Sequence, residues 1–316
     1  MCASVVAIYA WPKRTWALSP VTGTKVAQYN TVAFDLDGTL LNPDHVINER
    51  TKQYLRELSR KGVRVILATG RSLPACYEHV RALDLDVPLP VVCYNGGCGA
   101  MFPPRPRTSP EAPFPEPEIL FEEPLPRKER ERVLALAEEG GVLAQYYHGD
   151  HIYVVCKTAE HRDLVARYAK LAGVGHTHIQ SYEEVVGLDP CKILLMTDSP
   201  DEVTAAGKEC FADGSVTVVR GSPPFFVEFL HPSVCKGVGV KRMCQVLAQK
   251  LEGVVSFGDG DNDLEMLQMT GKGFAMRNAR SEVRTQAPNV TEHTNDKDGV
   301  VEELRKLERS GQLMAE

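Results

Sequence analysis

The first 34 residues contain no aspartate or glutamate. Lys13, Arg14 and Lys25 are their only charged side chains, and both tryptophans, Trp11 and Trp16, lie among them. An acid-free, Ser/Thr-containing start with a few basic residues admits two readings. One is an organelle transit peptide; the other is an extension over residues 1–30, disordered or translated from upstream, outside the fold. Residues 5–11 are too short an apolar run, and lack a basic flank, for a secretory signal. The nine cysteines include no CxxC pair and are odd in number. That excludes a disulfide scaffold and fits free thiols in a reducing compartment, with a cytoplasmic placement as the simplest expectation. Nothing approaches the ~20 uninterrupted apolar residues of a membrane helix, so no membrane partner is expected. A basic excess is missing too: the net charge is -6, which argues against a nucleic-acid partner.

What is there is ordinary globular composition, 43% apolar and 25% charged over 316 residues, enough for about two domains. The uneven feature is proline: nine of the 21 fall between Pro103 and Pro126. From residue 31 the pattern alternates. TVAFDL (31–36) is a strand ending in the turn Asp37-Gly38; Asn48 is placed to cap a helix over 49–60; VRVILA (63–68) is a second strand. Ser72 and Pro74 open a helix to about 83, and 91–94 is a third strand. Near-continuous apolar strands between helices imply an α/β fold with a parallel sheet buried on both faces.

The segment 103–126 has too few backbone donors for a central strand and reads as an exposed loop or hairpin excursion. A proline-motif contact with a partner is the less ordinary alternative. Beyond it, helices near 127–139, 160–172 and 200–211 and strands near 151–156, 192–197, 215–220 and 225–230 suit a separate α+β unit inserted into the first. Alternation resumes with a helix over 237–251, a strand at 254–257, a helix from 263, a strand at 273–276, and helices from 281 and 300. The expected division is a core of 31–99 plus 230–316 and an insert of 100–229 that begins in the proline-rich stretch.

Asp35 and Asp37 stand at the carboxyl end of the first strand. In a continuing strand they would face opposite ways, but the turn starts between them, so both can reach the crevice above the strand ends. A plain Asx turn is the ordinary alternative. Gly258-Asp259-Gly260-Asp261-Asn262-Asp263 also follows an apolar strand and suggests a hard-cation site. A calcium EF-hand loop fails on count: with Asp259 first, position 6 is Leu264, not Gly, and position 12 is Thr270, not Glu. Asp259 joining Asp35 on one Mg²⁺ across two strand ends suits the spacing better. Thr69-Gly70-Arg71 and Lys236-Gly237 add a hydroxyl, a flexible turn and cations at another strand end and a helix start. His148, His151, His176 and His178 match no metal spacing, and Met196, Met266 and Met269 read as core.

In this order, DLDGT (35–39), Thr69, Lys236 and GDGDND (258–263) resemble the four motifs of the haloacid dehalogenase superfamily. LATGR (67–71), CYNGG (93–97), CKG (235–237), GDGDNDLEML (258–267) and AMRNA (275–279) are similar to its Cof-like phosphatase branch. The resemblance covers about 32–307 and implies a Rossmann-like core with an inserted α/β cap. It implies a Mg²⁺-dependent phosphatase of a small phosphorylated metabolite, most commonly a sugar phosphate. By position, Asp35 resembles the nucleophile that forms an aspartyl-phosphate, and Asp37 the general acid/base, its backbone carbonyl a metal ligand. Thr69, Gly70 and Lys236 would hold phosphate, and Asn262 would bond phosphate or position Lys236; Asp259 would bind Mg²⁺, and Asp263 would support it, directly or through water. Arg71, Asn95 and Gly96 are candidates for substrate contact. Arg277 stands where most relatives carry a small residue, and the proline-rich stretch is longer than usual. Two alternatives come with the resemblance. A phosphohexomutase usually has a longer fourth motif than GDGDND; a regulatory binding protein would not need the intact acid pair.

Overall fold

The computed structural model describes residues 29–107, 113–220 and 225–313. Residues 1–28, where a transit peptide or extension is expected, lie outside the described residues, as do 108–112 of the proline-rich segment. The chain runs β1 (Thr31–Phe34), α1 (Glu49–Arg60), β2 (Arg64–Ala68), α2 (Leu73–Leu83), β3 (Leu89–Cys93), β4 (Cys98–Phe102) and β5 (Glu118–Glu122). It continues through α3 (Arg127–Glu139), β6 (Leu143–His148), β7 (His151–Val154), α4 (Ala159–Ala172), β8 (Thr177–His178), β9 (Lys192–Met196), α5 (Pro200–Cys210), β10 (Thr217–Arg220) and β11 (Phe226–Leu230). It ends with α6 (Lys236–Val246), β12 (Val254–Gly258), α7 (Leu264–Met269), β13 (Lys272–Ala275), α8 (Ser281–Gln286), β14 (Asn289–Val290) and α9 (Gly299–Arg309).

One sheet has the order β14-β13-β12-β1-β2-β3-β4-β5. It is parallel from β14 to β3, and β4 and β5 extend it antiparallel. β1 lies centrally, with Thr31 opposite Val254 on one side and Arg64 on the other. All four of its residues are buried. Val32 and Phe34 join Leu55 and Leu58 of α1, Val80 of α2 and Leu304 of α9. Ala33 faces the other way, with Val240 and Met243 of α6, Met266 of α7 and Val283 of α8. Side chains alternate along a strand, so a strand covered by helices on both faces must be apolar throughout, as TVAF is. Truncating a fully buried side chain such as Phe34 to alanine costs about 3–5 kcal/mol.

The second sheet has the order β10-β11-β9-β6-β7-β8 and is antiparallel except between β7 and β8. Val133 and Ala137 of α3, with Phe211 after α5, cover one face through Tyr146, Ile193, Leu195 and Phe229. The other face carries Tyr147, Leu194, Met196 and Phe226. These merge with Leu164 and Tyr168 of α4 and with the apolar cluster around α2, so the two sheets meet in one apolar seam.

The proline-rich segment is a hairpin excursion: among its described residues the one strand, β5, is proline-free and pairs at the sheet edge with β4. Arg105 and Arg107 tie it to Asp84 just after α2, and Arg107 also reaches Asp86. Two local expectations are corrected. Asn48 makes no side-chain cap on α1; its Oδ1 accepts from Asn42 Nδ2 (2.9 Å) and its amide donates to Asp298. α6 stops at Val246, short of the expected length, where Ala248 (φ 52°) turns the chain. Among the described residues no helix is long and apolar enough to cross a membrane.

Candidate active site

The chemistry-bearing residues sit at the carboxyl ends of neighbouring parallel strands. Asp35 follows β1, Thr69 follows β2, Asn95 follows β3 and Asp259 follows β12; Lys236 begins α6. Asp35 still belongs to the ladder, its N–H donating to the Phe257 carbonyl (3.0 Å), and the chain then turns on Gly38. That turn needs glycine: φ is +78°, and a Cβ there would lie 2.2 Å from the Asp259 carboxylate.

Lys236 Nζ donates to Asp35 Oδ1 (2.6 Å) and to Asp263 Oδ1 (2.7 Å). The other oxygen of Asp263 accepts from the N–H groups of Asp259 (3.0 Å) and Gly260 (2.9 Å), which folds the acidic loop back on itself. Thr39 Oγ1 donates to Asp259 Oδ1 (3.2 Å), joining the two acidic turns. Asp35, Lys236 and Asp263 are all buried. Three carboxylates around one ammonium leave an excess of negative charge. Burial, helped by Asp263 and Asp259, raises the Asp35 pKa well above the ordinary range in spite of Lys236. Burial and Asp263 lift Asp259 to about 6. For Lys236 burial works against the charge, but Asp263 and Asp35 more than offset it, so its pKa rises and it stays protonated. One oxygen from each of Asp35, Asp259 and Asp263 lies within 4.8 Å of the others. An all-oxygen, over-negative pocket of this kind fits a hard divalent cation such as Mg²⁺.

The other residues expected at the site have partners of their own. Thr69 is buried in the crevice, and its hydroxyl accepts from the Arg71 N–H (3.1 Å), leaving its own proton to donate. Asn262 Nδ2 donates to Asn95 Oδ1 (2.8 Å), and the Gly70 carbonyl accepts from Lys192 Nζ (3.2 Å). Arg71 grips Asp37 with Nε and Nη2 at 2.7 Å each, and His45 adds a contact at 3.3 Å. Burial would raise the Asp37 pKa, but Arg71 and His45 outweigh it and hold the carboxyl below its ordinary value. Gly96 backs onto α6: with φ +104°, a Cβ would come 2.2 Å from the Cys235 carbonyl. Asp261 turns outward to Arg280, and Arg277 is exposed.

Some participants went unread in the sequence. Thr39 is the last residue of DLDGT, so its signal was present. Asn278, in AMRNA, donates to the Gly38 carbonyl (2.7 Å) and steadies the first turn. Lys192 and Glu228 are charged positions inside otherwise apolar strands, KILLM and FVEFL, and that mismatch is the trace they leave. His148, His151 and His176 bond to the Asp189 carbonyl, Thr177 and Gln145; none joins a metal-compatible cluster among the described residues.

A parallel α/β sheet whose strand ends gather two aspartates, a buried ammonium and a cation-compatible carboxylate cluster defines an enzyme acting on phosphorylated groups. Residues 32–304 match the haloacid dehalogenase-like hydrolases, and the chain belongs to that family. Phosphatase YwpJ of Bacillus subtilis (strain 168) is 26% identical over 302 residues, covering 87% of this chain and 99% of the relative. YitU of the same organism, a 5-amino-6-(5-phospho-D-ribitylamino)uracil phosphatase, is 27% identical over 288 residues, covering 87% and 96%. A haloacid dehalogenase-like hydrolase from Bacteroides thetaiotaomicron superposes with a TM-score of 0.74 at 25% identity, covering 88% of this chain and 99% of that one. TM0651 from Thermotoga maritima gives 0.72 at 28% identity, with 89% and 97% covered. The protein is a phosphatase of this family.

Proposed function

We propose that the protein hydrolyses the phosphate monoester of a small sugar-type metabolite through a phosphoryl group carried on Asp35, with Mg²⁺ as cofactor. The observation that carries this reading is the buried contact of Lys236 with Asp35, beside Asp259 and Asp263. Asp35, Asp259 and the Asp37 backbone carbonyl are the groups that would hold Mg²⁺. Both oxygens of Asp263 already have protein donors, so it supports the loop and Lys236. The ion supplies charge neutralisation between a carboxylate and a phosphate that would otherwise repel each other.

An oxygen of Asp35 attacks phosphorus, and the bond from phosphorus to the leaving alkoxide breaks as the new bond forms. Lys236, the Thr69 hydroxyl, the Gly70 turn and the Asn262 amide hold the phosphoryl oxygens and stabilise the charge spread over them. Asp37 protonates the departing alkoxide, then takes a proton from the water that attacks the phosphoryl group. Asp35 returns as a carboxylate and inorganic phosphate leaves. With Arg71 gripping it, Asp37 is ionised, so the acid step requires Arg71 to let go and Asp37 to take up a proton from solvent before attack; an anionic or polyhydroxyl leaving group that engages Arg71 would draw it off.

We read the second sheet with α3, α4 and α5 as a cap over this crevice, entered at 123–126 and left at 231–235; the expected start at 100 moves to 123 because β4 and β5 pair into the first sheet. The sugar-type substrate rests on YitU, whose named substrate carries a phosphorylated ribityl chain. Hydrolysis of an aryl phosphate with Mg²⁺ tests the reading. Asp35→Asn is expected to abolish turnover; a variant that keeps the wild-type rate overturns it. A panel of phosphorylated metabolites ranked by kcat/KM then tests the sugar class, and preference for a substrate without a polyhydroxyl chain would contradict it.

A further inference from the structure

Among the described residues outside the acid cluster, the most deeply buried ion pair belongs to the second sheet. Lys192 Nζ lies 2.7 Å from Glu228 Oε1, with side-chain exposures of 1% and 9%. Register puts Glu228 opposite Leu194, so Lys192 and Glu228 share a face. Burial opposes the Lys192 charge, and Glu228 more than offsets it, so the Lys192 pKa is raised and its ammonium is retained. A buried pair of this kind is poorly explained by stability, since apolar residues of similar volume commonly serve as well or better.

What the pair touches accounts for it. Lys192 also donates to the Gly70 carbonyl (3.2 Å), in the turn that carries Thr69. Glu228 Oε2 accepts from Asn95 Nδ2 (2.8 Å), and Asn95 Oδ1 accepts from Asn262 Nδ2 (2.8 Å). Both Glu228 oxygens accept, one from Lys192 and one from Asn95, so Glu228 fixes which way the Asn95 amide points. Asn95 then presents its oxygen to Asn262 and fixes that amide in turn. The backbone at this junction is strained: Tyr94 (φ 53°) and Asn95 (φ 54°) are consecutive left-handed residues without being glycine. The Tyr94 ring stands 5.8 Å from Lys192 Nζ and edge-on to Tyr147 of the second sheet.

The geometry points to Lys192 and Glu228 as positioning residues of the phosphatase reaction, an ion pair on the second sheet that orients the Thr69–Gly70 turn and the Asn262 amide. The phosphate pocket is then complete only when the second sheet is seated on the first. This inference rests on the phosphatase reading.

The test is Lys192→Met/Glu228→Leu, an apolar pair that preserves packing, with Glu228→Gln as a gentler companion. Thermal midpoint, kcat and KM for an aryl phosphate with Mg²⁺, and inhibition by inorganic phosphate are measured for each. The expected result for the double variant is a midpoint within a few degrees of wild type, kcat at least tenfold lower, KM changed less than twofold, and weaker phosphate inhibition. Glu228→Gln, which can present an amide N–H to Asn95, is expected to lose kcat severalfold with the same split. A purely structural pair would move the midpoint and leave kcat of the folded protein alone. A folded double variant with wild-type kcat overturns the inference; if the double variant does not fold, wild-type kcat in Glu228→Gln does so. An inactive wild-type protein would instead overturn the phosphatase reading, and the pair's role with it.

Discussion

Replacing Lys236 with methionine keeps most of the side-chain volume and removes the ammonium that contacts the acid cluster. In the native arrangement its Nζ sits 2.6 Å from Asp35 and 2.7 Å from Asp263. At an effective dielectric near 20, each such attraction is on the order of 4 kcal/mol, offset by the desolvation of a fully buried ammonium. Removing one partner of a buried pair costs about 3–5 kcal/mol, because the remaining charges stay buried without compensation. The deficit depends on pH. Asp259 has its pKa raised to about 6 in the folded protein, and Asp35 is raised as well. A carboxyl raised above its unfolded value adds stability that is full below the unfolded pKa and lost as pH rises through the folded one. Without Lys236 both values rise further, so protons substitute for the missing cation at low pH. Denaturant unfolding of wild type and Lys236→Met, in chelator to remove divalent ions, is the assay. The expected deficit is about 3–5 kcal/mol at pH 8 and clearly smaller at pH 5. A variant as stable as wild type at pH 8, or a deficit equal at both pH values, refutes the electrostatic account of the cluster.

Other perturbations probe separate parts of the site. Chelation is expected to abolish aryl-phosphate hydrolysis and added Mg²⁺ to restore it, while Asp259→Asn needs at least tenfold more Mg²⁺ for half-maximal rate; equal requirements would remove Asp259 from the metal site. Gly38→Ala forces a Cβ into the Asp259 carboxylate at a positive φ, so about 1–3 kcal/mol of destabilisation and weaker Mg²⁺ binding are expected, read by melting and titration. Arg71→Met frees Asp37 from the contact that holds its carboxyl low, so the alkaline limb of the kcat/KM profile is expected to move upward; an unmoved limb would separate Arg71 from the acid step.

The elements that were legible in the sequence are those whose burial is uniform or periodic. TVAF and RVILA are apolar because helices cover both faces, and Arg127–Glu139 matches α3 at both ends. β4 and β6 were not legible. CGAMF offers two small residues and LAQYYH mixes glutamine and histidine into a buried strand, so neither shows a clean period. β5 was hidden by flanking prolines and recovered only as an edge strand. At the site, the acid pair and the acidic loop carry their chemistry in local spacing. The partnership of Lys236 does not, since a lone lysine reads as a surface charge until the fold brings Asp35 to it across 201 positions. Alternation in GDGDND treats its three aspartates alike, whereas the short turn after β12 sends Asp261 out to Arg280 and Asp263 inward. The pairing of Lys192 with Glu228 depends on strand register, which only the folded sheet supplies.

The central claim is that Asp35 carries the phosphoryl group. The most direct measurement is acid quenching of the Asp37→Asn variant during turnover of an aryl phosphate with Mg²⁺, followed by peptide mass mapping. With attack intact and water activation impaired, the account predicts a phosphoryl adduct on Asp35 that forms with a burst of aryl alcohol. Release of aryl alcohol and phosphate in step, with no adduct on Asp35, would contradict it.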